Sequence, residues 1–473
     1  MVADFLRTKI VATVGPASAN KETLLAFIQS GVRVFRLNFS HGTHDLHQLN
    51  LGMIREVAEQ AGIEVAVLAD LCGPKMRIGK FSDGMVDLKD GQNITLDTRN
   101  IVGSTEVIPV QYQQLPKDVA IGNRILLDDG LLELEVLSTE KTTVKARVIR
   151  GGKLKDNKGL NLPGSVVSAP SLTEKDLEDI DFILGTDIDF LALSFVRSVR
   201  DVLALKEVLH SQARHLPIIA KIEKPQALED IDAILDAADG IMVARGDLGV
   251  EMQPEKVPVI QKDLIRRAKQ KSKPVIVATQ MLESMTTNPR PTRAEVSDVS
   301  NAVFDGADAV MLSAESASGQ YPVAAVQMMA KVAHEAESWL INHDQPAPEN
   351  HQVGKTNQDS TRHAIARSIA NLARELPVSV IVVRSKGGKS ASFVSATRPL
   401  APVLAVSTDL RAIRKMNLSW GVQPMLVSRE DFEDPKTCAR KVAMETGLAN
   451  PKQLILLLAG FGKSEPNLTL LSP

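Results

Sequence analysis

The sequence predicts an α/β protein built on a (β/α)8 (TIM) barrel, with an all-β lid domain inserted into it and a separate α/β domain after it. Three observations carry this prediction. Short apolar runs of strand length recur at 10–14, 32–37, 65–69, 190–193, 218–220, 241–244, 275–278 and 309–312, mostly separated by helical patterns. More than 100 residues separate the third run from the fourth, and their composition changes character. Beyond His334 a linker-like stretch gives way to a second strand–helix alternation.

The barrel comes first. Helical patterns at 21–30, 46–61, 200–211 and 258–270 alternate with the apolar runs. A doubly wound open sheet is the alternative, but eight runs favour closure, and a closed barrel places its chemistry at the C-terminal ends of its strands. The residues at those ends are Asn38 and Ser40, Asp70, Ser194, Lys221 and Glu223, Asp247, Thr279, then Ser313 and Glu315.

The interruption is an insertion at about 71–168. Asp83-Gly84, Asp90-Gly91 and Asp129-Gly130 are turn signals between alternating runs at 93–96, 125–127, 131–136 and 143–149. An insertion on the rim is placed to act as a lid. Its lysines at 153–158, taken alone, read as a solvated surface.

After the barrel resumes at 169–343, the stretch 344–354 has linker composition, and 344–473 forms the last domain. Its predicted elements are a helix at 361–375 and strands at 378–383, 403–406, 425–427 and 454–458. Ser385, Lys386, Lys389 and Ser390 sit at the turn after its first strand, with glycines between them, and such turns offer backbone N–H groups to a phosphate. A Walker A reading fails, because the earlier glycine falls on Val383.

Composition bounds the function. The 473 residues carry a net charge of −2, which argues against wholesale nucleic-acid binding. Cys72 and Cys438 are too few for a disulfide framework, so a reducing, cytoplasmic setting is expected. Asp4 and Arg7 interrupt any secretory apolar region. No apolar run approaches the roughly 20 residues a bilayer span needs, so no membrane association is expected.

The chemistry concentrates between 218 and 251. One strand ends in Lys221 and Glu223, the next in Arg245 and Asp247. Two carboxylates with a lysine between them suit an oxygen-ligated divalent metal beside a cation that meets an anionic substrate. The alternative is a pair of strand-end salt bridges.

With these residues on a barrel rim under a β lid, the chain resembles the pyruvate kinase family over essentially its whole length. The matching motifs include 8–18 (TKIVATVGPAS), 36–42 (RLNFSHG), 157–164 (NKGLNLPG), 172–176 (LTEKD), 194–197 (SFVR), 279–285 (TQMLESM) and 291–298 (PTRAEVSD), then Ser313 to Glu315. The resemblance implies phosphoryl transfer from phosphoenolpyruvate to ADP, giving pyruvate and ATP, the last step of glycolysis. It implies Mg2+ (or Mn2+) held by Glu223 and Asp247, and Lys221 and Arg36 facing the phosphoryl group. It places Gly246, Asp247 and Thr279 at the substrate, with Thr279, Ser313 and Glu315 in a relay that protonates the enolate. Nucleotide contacts are implied for His41, Arg77, Lys158 and Asn38, with His44 and His47 as plain helix surface. The family's usual homotetramer is also implied.

One departure from the family pattern concerns K+. Many members hold K+ with groups matching Asn38, Ser40, Asp70 and the carbonyl after it, with a glutamate a few residues on. Here Leu71 replaces the usual Thr and Lys75 the Glu. An ammonium beside Asp70 supplies the charge the soluble cation brings elsewhere, so activity independent of K+ is expected. The last domain resembles the family's regulatory domain. Its Ser385–Ser390 loop, with Arg398, suggests a site for a sugar phosphate or AMP, although the tail at 460–466 matches the family's effector loop poorly. Two other readings stand beside this one: a metal-dependent aldolase or lyase acting on pyruvate-like enolates, and a phosphometabolite sensor without activity.

Overall fold

The computed structural model of the chain describes residues 5–473 except 166, 213–214, 344–356, 450 and 462–465, with side chains at 357–359 also outside the description. The predicted linker and the centre of the 460–466 tail therefore lie largely outside the described residues.

Eight parallel strands close into a barrel: β1 (Lys9–Thr13), β2 (Val32–Asn38), β3 (Ala66–Asp70), then β12 (Phe190–Leu193), β13 (Ile218–Ile222), β14 (Gly240–Ala244), β15 (Val275–Ala278) and β16 (Ala309–Leu312). Each predicted run is one of these strands. Alternate residues of one strand go to different cores. Val11, Val34, Leu68, Ala192, Ile219, Met242, Ile276 and Met311 fill the interior, while Ile10, Val32, Val67, Leu191, Ile218, Ile241, Val275 and Val310 pack against the outer helices. Burial on both faces is why these strands read as continuous apolar runs rather than alternating ones. The helices start at side-chain caps. Thr173 with Asp176 and Thr292 with Glu295 form reciprocal capping boxes, and Asn20 and Thr43 cap the first two helices.

Between β3 and β12 the chain makes β4 (Met85–Leu88), β5 (Asn93–Asp97), β6 (Val107–Pro109), β7 (Arg124–Leu127), β8 (Leu132–Thr139), β9 (Thr143–Arg150), β10 (Gly152–Lys155) and β11 (Leu160–Asn161). Strands β10 and β4 pair as a ribbon, and the other six form one sheet in the order β11-β7-β8-β9-β5-β6. This lid has its own core, with Ile78, Leu88, Leu96, Ile108, Leu134 and Val144 among its members.

The last domain is a five-stranded sheet in the order β19-β18-β17-β20-β21, from β17 (Val378–Arg384), β18 (Val403–Ser407), β19 (Val422–Leu426), β20 (Leu454–Ala459) and the antiparallel edge strand β21 (Asn467–Leu471). The sequence placed β19 three residues too late and missed β21. This domain docks under the floor of the barrel, against residues at or just before the N-terminal ends of strands. Lys9 Nζ donates to the Val422 carbonyl at 2.7 Å, and Arg414 pairs with Glu64 at 2.9 Å and with Asp187. Its loops are therefore on the opposite side of the barrel from the rim.

Candidate active site

Side chains from five strand ends converge on Lys221. Its ammonium lies 2.8 Å from Ser194 Oγ, 2.9 Å from Glu223 Oε1 and 3.2 Å from Asp70 Oδ1. Arg36 donates from Nε to Asp70 Oδ2 at 2.7 Å and from Nη1 to Thr13 Oγ1 at 3.0 Å. Burial alone pushes the Lys221 pKa down, but Asp70 and Glu223 outweigh it and raise it above the ordinary lysine value. Lys221 is thus a fixed positive charge at a largely buried position on the rim. Its partners are distant in sequence, and the parallel register brings them together: β13 pairs with β14, and β3 with β2 and β12.

Glu223 is 1 % exposed, and its Oε2 accepts the Phe195 N–H at 2.7 Å. Burial raises its pKa, Lys221 opposes that, and the nearby Asp247 raises it further. A buried carboxylate whose charge a neighbouring carboxylate disfavours fits a hard divalent cation, which removes the repulsion. Among the described residues no group of three or more His, Cys, Asp or Glu is placed to hold a metal. Glu223 and Asp247 would therefore share such an ion with oxygens from substrate and water.

Asp247 belongs to the helix Arg245–Glu251, which begins directly where β14 ends. Arg245 holds the start of this helix by donating to Asp298 at 2.6 Å and to the Thr279 carbonyl at 2.9 Å. Thr279 takes a left-handed φ of 69°. Its hydroxyl accepts the Gly246 N–H at 2.7 Å and donates to the Ala278 carbonyl at 2.6 Å. A Cβ at Gly246 would stand 3.2 Å from that hydroxyl, so glycine permits the approach.

Above these groups lies a crown of positive charge. His41 is exposed, and its pKa is lowered by desolvation and then by Arg77, Lys75 and Arg36. An anionic ligand is what such a group of donors accommodates. Beside the crown, a cleft opens between lid and barrel; Lys75, Asn161, Phe195, Lys224, Asp247 and Glu251 are among the residues lining it.

Several expectations need correction. Lys75 is exposed at the cleft and makes no ion pair with Asp70, whose two oxygens are taken by Arg36 and Lys221. Leu71 is buried in the barrel core and its carbonyl accepts Ser194 Oγ at 2.8 Å, while Asn38 Oδ1 accepts the Ser40 N–H at 3.1 Å. Glu315 is fully buried, and its two oxygens accept the N–H groups of Leu282 at 3.1 Å and Ser313 at 2.7 Å. It ties two rim loops together through these bonds, a positioning role. Lys158 pairs with Asp128 at 2.8 Å, and Arg77 donates to the Asn157 carbonyl at 3.2 Å, both within the lid. His44 and His47 are not plain surface: His44 stacks on Phe182 and bonds Asp179 at 2.7 Å, and His47 stacks on Phe39.

The effector group is also divided. Lys386 and Lys389 are exposed, and the buried Ser385 hydroxyl accepts the Ala391 N–H at the start of the helix Lys389–Ala396. Arg398 lies past the other end of that helix. It bonds Asp308 at 2.9 Å and the Gly306 carbonyl at 2.5 Å, with its guanidinium over Trp420, so it fastens the last domain to the barrel floor. Sequence reasoning placed Arg245 at a strand end and Thr13 and Asn161 inside matching motifs but assigned no role to them, nor to Lys224 or Glu251, because those roles depend on contacts between elements.

A family model described as "Pyruvate kinase, barrel domain" matches residues 5–326, and one described as "Pyruvate kinase, alpha/beta domain" matches residues 363–469. The chain is 44% identical over 470 residues to a pyruvate kinase of Geobacillus stearothermophilus, covering 98% of this chain and 79% of that one. It is 42% identical over 466 residues to a pyruvate kinase of Staphylococcus aureus, with 98% and 79% covered. A crystal structure of a pyruvate kinase from Cryptosporidium parvum superposes with a TM-score of 0.89 at 34% identity, covering 99% of this chain and 96% of that one.

Proposed function

The chain belongs to the pyruvate kinase family and is a phosphotransferase, and on that premise we propose how its residues carry out transfer from phosphoenolpyruvate to ADP. The observation that carries this reading is the Lys221 ammonium, fixed between Asp70, Glu223 and Ser194 at the strand ends. We assign Glu223 and Asp247 to Mg2+ (or Mn2+), which when bound supplies charge neutralisation to the phosphoryl oxygens.

The bond from phosphorus to the enol oxygen breaks as the bond to a β-phosphate oxygen of ADP forms. A loose transition state needs positioning and compensating charge more than covalent help. Lys221 and Arg36 supply positive charge to the migrating group. Arg36 is oriented by Asp70 and Thr13, which leaves Nη2 without a hydrogen bond among the described residues. His41, Arg77 and Lys75 receive the nucleotide phosphates, and Lys158 joins them when its pairing with Asp128 opens. Gly246 and Asp247 lie against the substrate carboxylate, with Thr279 beneath them. The enolate takes its proton at the methylene carbon from solvent ordered by the hydroxyls of Thr279 and Ser313.

The reading extends to K+ independence, carried by the Lys75 charge over the cleft. It also extends to a homotetramer in the cytoplasm, consistent with Cys72 and Cys438 both being free. No described helix is long and apolar enough to cross a membrane. A phosphate-bearing effector is assigned to Ser385, Lys386, Lys389 and Ser390 alone. The test is lactate-dehydrogenase-coupled turnover of phosphoenolpyruvate and ADP. Activity that requires Mg2+ or Mn2+ and is lost in Lys221→Met supports the reading; pyruvate release without ATP formation favours a lyase instead.

A further inference from the structure

One short helix touches both the carboxylate pair and the lid. Its first turn carries Asp247; its last residue, Glu251, faces the lid's final strand. We propose that Glu251 is a positioning residue that couples lid docking to the carboxylate pair, through Asn161 of the lid and Lys224 of the barrel. The proposal rests on the assignment of Glu223 and Asp247 above.

Glu251 Oε1 accepts Lys224 Nζ at 2.6 Å and Asn161 Nδ2 at 2.8 Å. The carboxylate is 2 % exposed and the Lys224 side chain 10 %. A charge pair so little exposed keeps its geometry, because moving one member leaves the other unpaired. Lys224 belongs to the barrel, as Glu251 does. Asn161 adds a donor from a different domain, and that makes the pair sensitive to where the lid sits.

Two further contacts lead away from this junction. On the barrel side, the Lys224 ammonium lies 5.6 Å over the Phe195 ring, and the Phe195 N–H holds Glu223 Oε2 at 2.7 Å. Phe195 sits at φ 55°, a left-handed conformation that persists only when its surroundings enforce it. On the lid side, the turn at Asp128, Asp129 and Gly130 leans on the same end of the helix, where a Cβ at Gly130 would lie 3.7 Å from Val250. Asp128 of that turn holds Lys158 at 2.8 Å. The contacts at Glu251 therefore lead through Lys224 and Phe195 to Glu223, while Asp247 sits one turn earlier on the same helix.

The closing experiment uses the full chain without substrates. Spin labels at Lys141→Cys in the lid and Glu207→Cys on the barrel, in a Cys72→Ser, Cys438→Ser background, report the lid position by electron–electron distance measurement. Asn161→Leu, which keeps the volume and removes the donor, is expected to shift or broaden the distance distribution. Asn161→Asp, which sets carboxylate against carboxylate, is expected to shift it further. In coupled assays both variants raise the KM for ADP about tenfold, the scale of one hydrogen bond to a charged acceptor, and leave the KM for phosphoenolpyruvate within about twofold. An unchanged distance distribution overturns the proposal whatever the kinetics. A shifted distribution with an unchanged KM for ADP, or with both KM values raised alike, overturns the coupling. An unlabelled wild-type chain that fails to turn over would fault the functional reading and leave the distance measurement to decide the lid contact by itself.

Discussion

Asp70 and Arg36 form a buried ion pair, Oδ2 to Nε at 2.7 Å, with side chains 1 % and 11 % exposed. The same carboxylate reaches Lys221 from its other oxygen, so one anion balances two cations at the rim. Asp70→Asn leaves both cations short of charge compensation. We expect a loss on the order of 3 kcal/mol in barrel stability, measured as a lower denaturant midpoint, together with weaker phosphoenolpyruvate binding. A midpoint equal to wild type would mean the pair is not needed to hold these strand ends.

Lys221→Met removes the charge that faces the migrating group. kcat is expected to fall by roughly 10²–10³, the scale of losing one preorganised electrostatic contact. Lys221→Arg should not restore it, because a planar fork cannot occupy the compact ammonium position between Ser194, Asp70 and Glu223. Single-turnover rates check this; recovery in the arginine variant would count against positional control.

Glu315→Gln separates a positioning role from a relay. The carboxamide offers one acceptor where two N–H groups need partners, so the loops at Leu282 and Ser313 loosen. Lower kcat with an unshifted pH profile is the expected outcome. A lost limb in the profile of kcat against pH would restore Glu315 to proton transfer.

The K+ expectation now rests on Lys75 as an exposed charge at the cleft, not as a partner of Asp70. Turnover with Mg2+ in tetramethylammonium buffer should change less than about twofold on adding K+, since a fixed charge of the same sign is already present. Lys75→Met should make the rate respond to K+. A wild-type rate that collapses without K+ would end this interpretation.

Between barrel and last domain, the fully buried Lys9 has its pKa lowered to about 7, first by desolvation, then by Arg33, against Glu337 and Asp308. The unfolded chain keeps that proton up to the ordinary lysine value, so between the two values it binds more protons than the folded chain. Stability therefore rises with pH from about 7 toward 10 and gains nothing from this group below 7. Lys9→Met, which loses the bond to the Val422 carbonyl but also the buried amine, should flatten that rise in thermal denaturation across pH 7–10. An equal slope in the variant would assign the pH dependence to another group; Lys269, also lowered to about 7, is the next to test.

Much of the fold was legible because strands of a closed parallel barrel are apolar on both faces and end abruptly in polar residues. Ile218–Ile222 followed by Glu223, and Gly240–Ala244 followed by the helix that carries Asp247, show this directly. The edge strand Asn467–Leu471 was not legible, since three of its five residues are exposed and it lacks an apolar run of its own.

The chain's linear order by itself determined which residues reach the rim: Arg36, Asp70, Lys221, Glu223, Asp247 and Thr279 each follow or end a run whose length fixes where it surfaces. Only the tertiary structure decided what each one meets there. Asp70 on β3 reaches Lys221 on β13 across the intervening strand β12. Lys75 is left to the cleft, Glu315 turns to backbone N–H groups, and Arg398 anchors a domain rather than an effector. Charge partners are chosen by strand register and side-chain reach, and a spacing along the chain encodes neither for residues more than 100 positions apart.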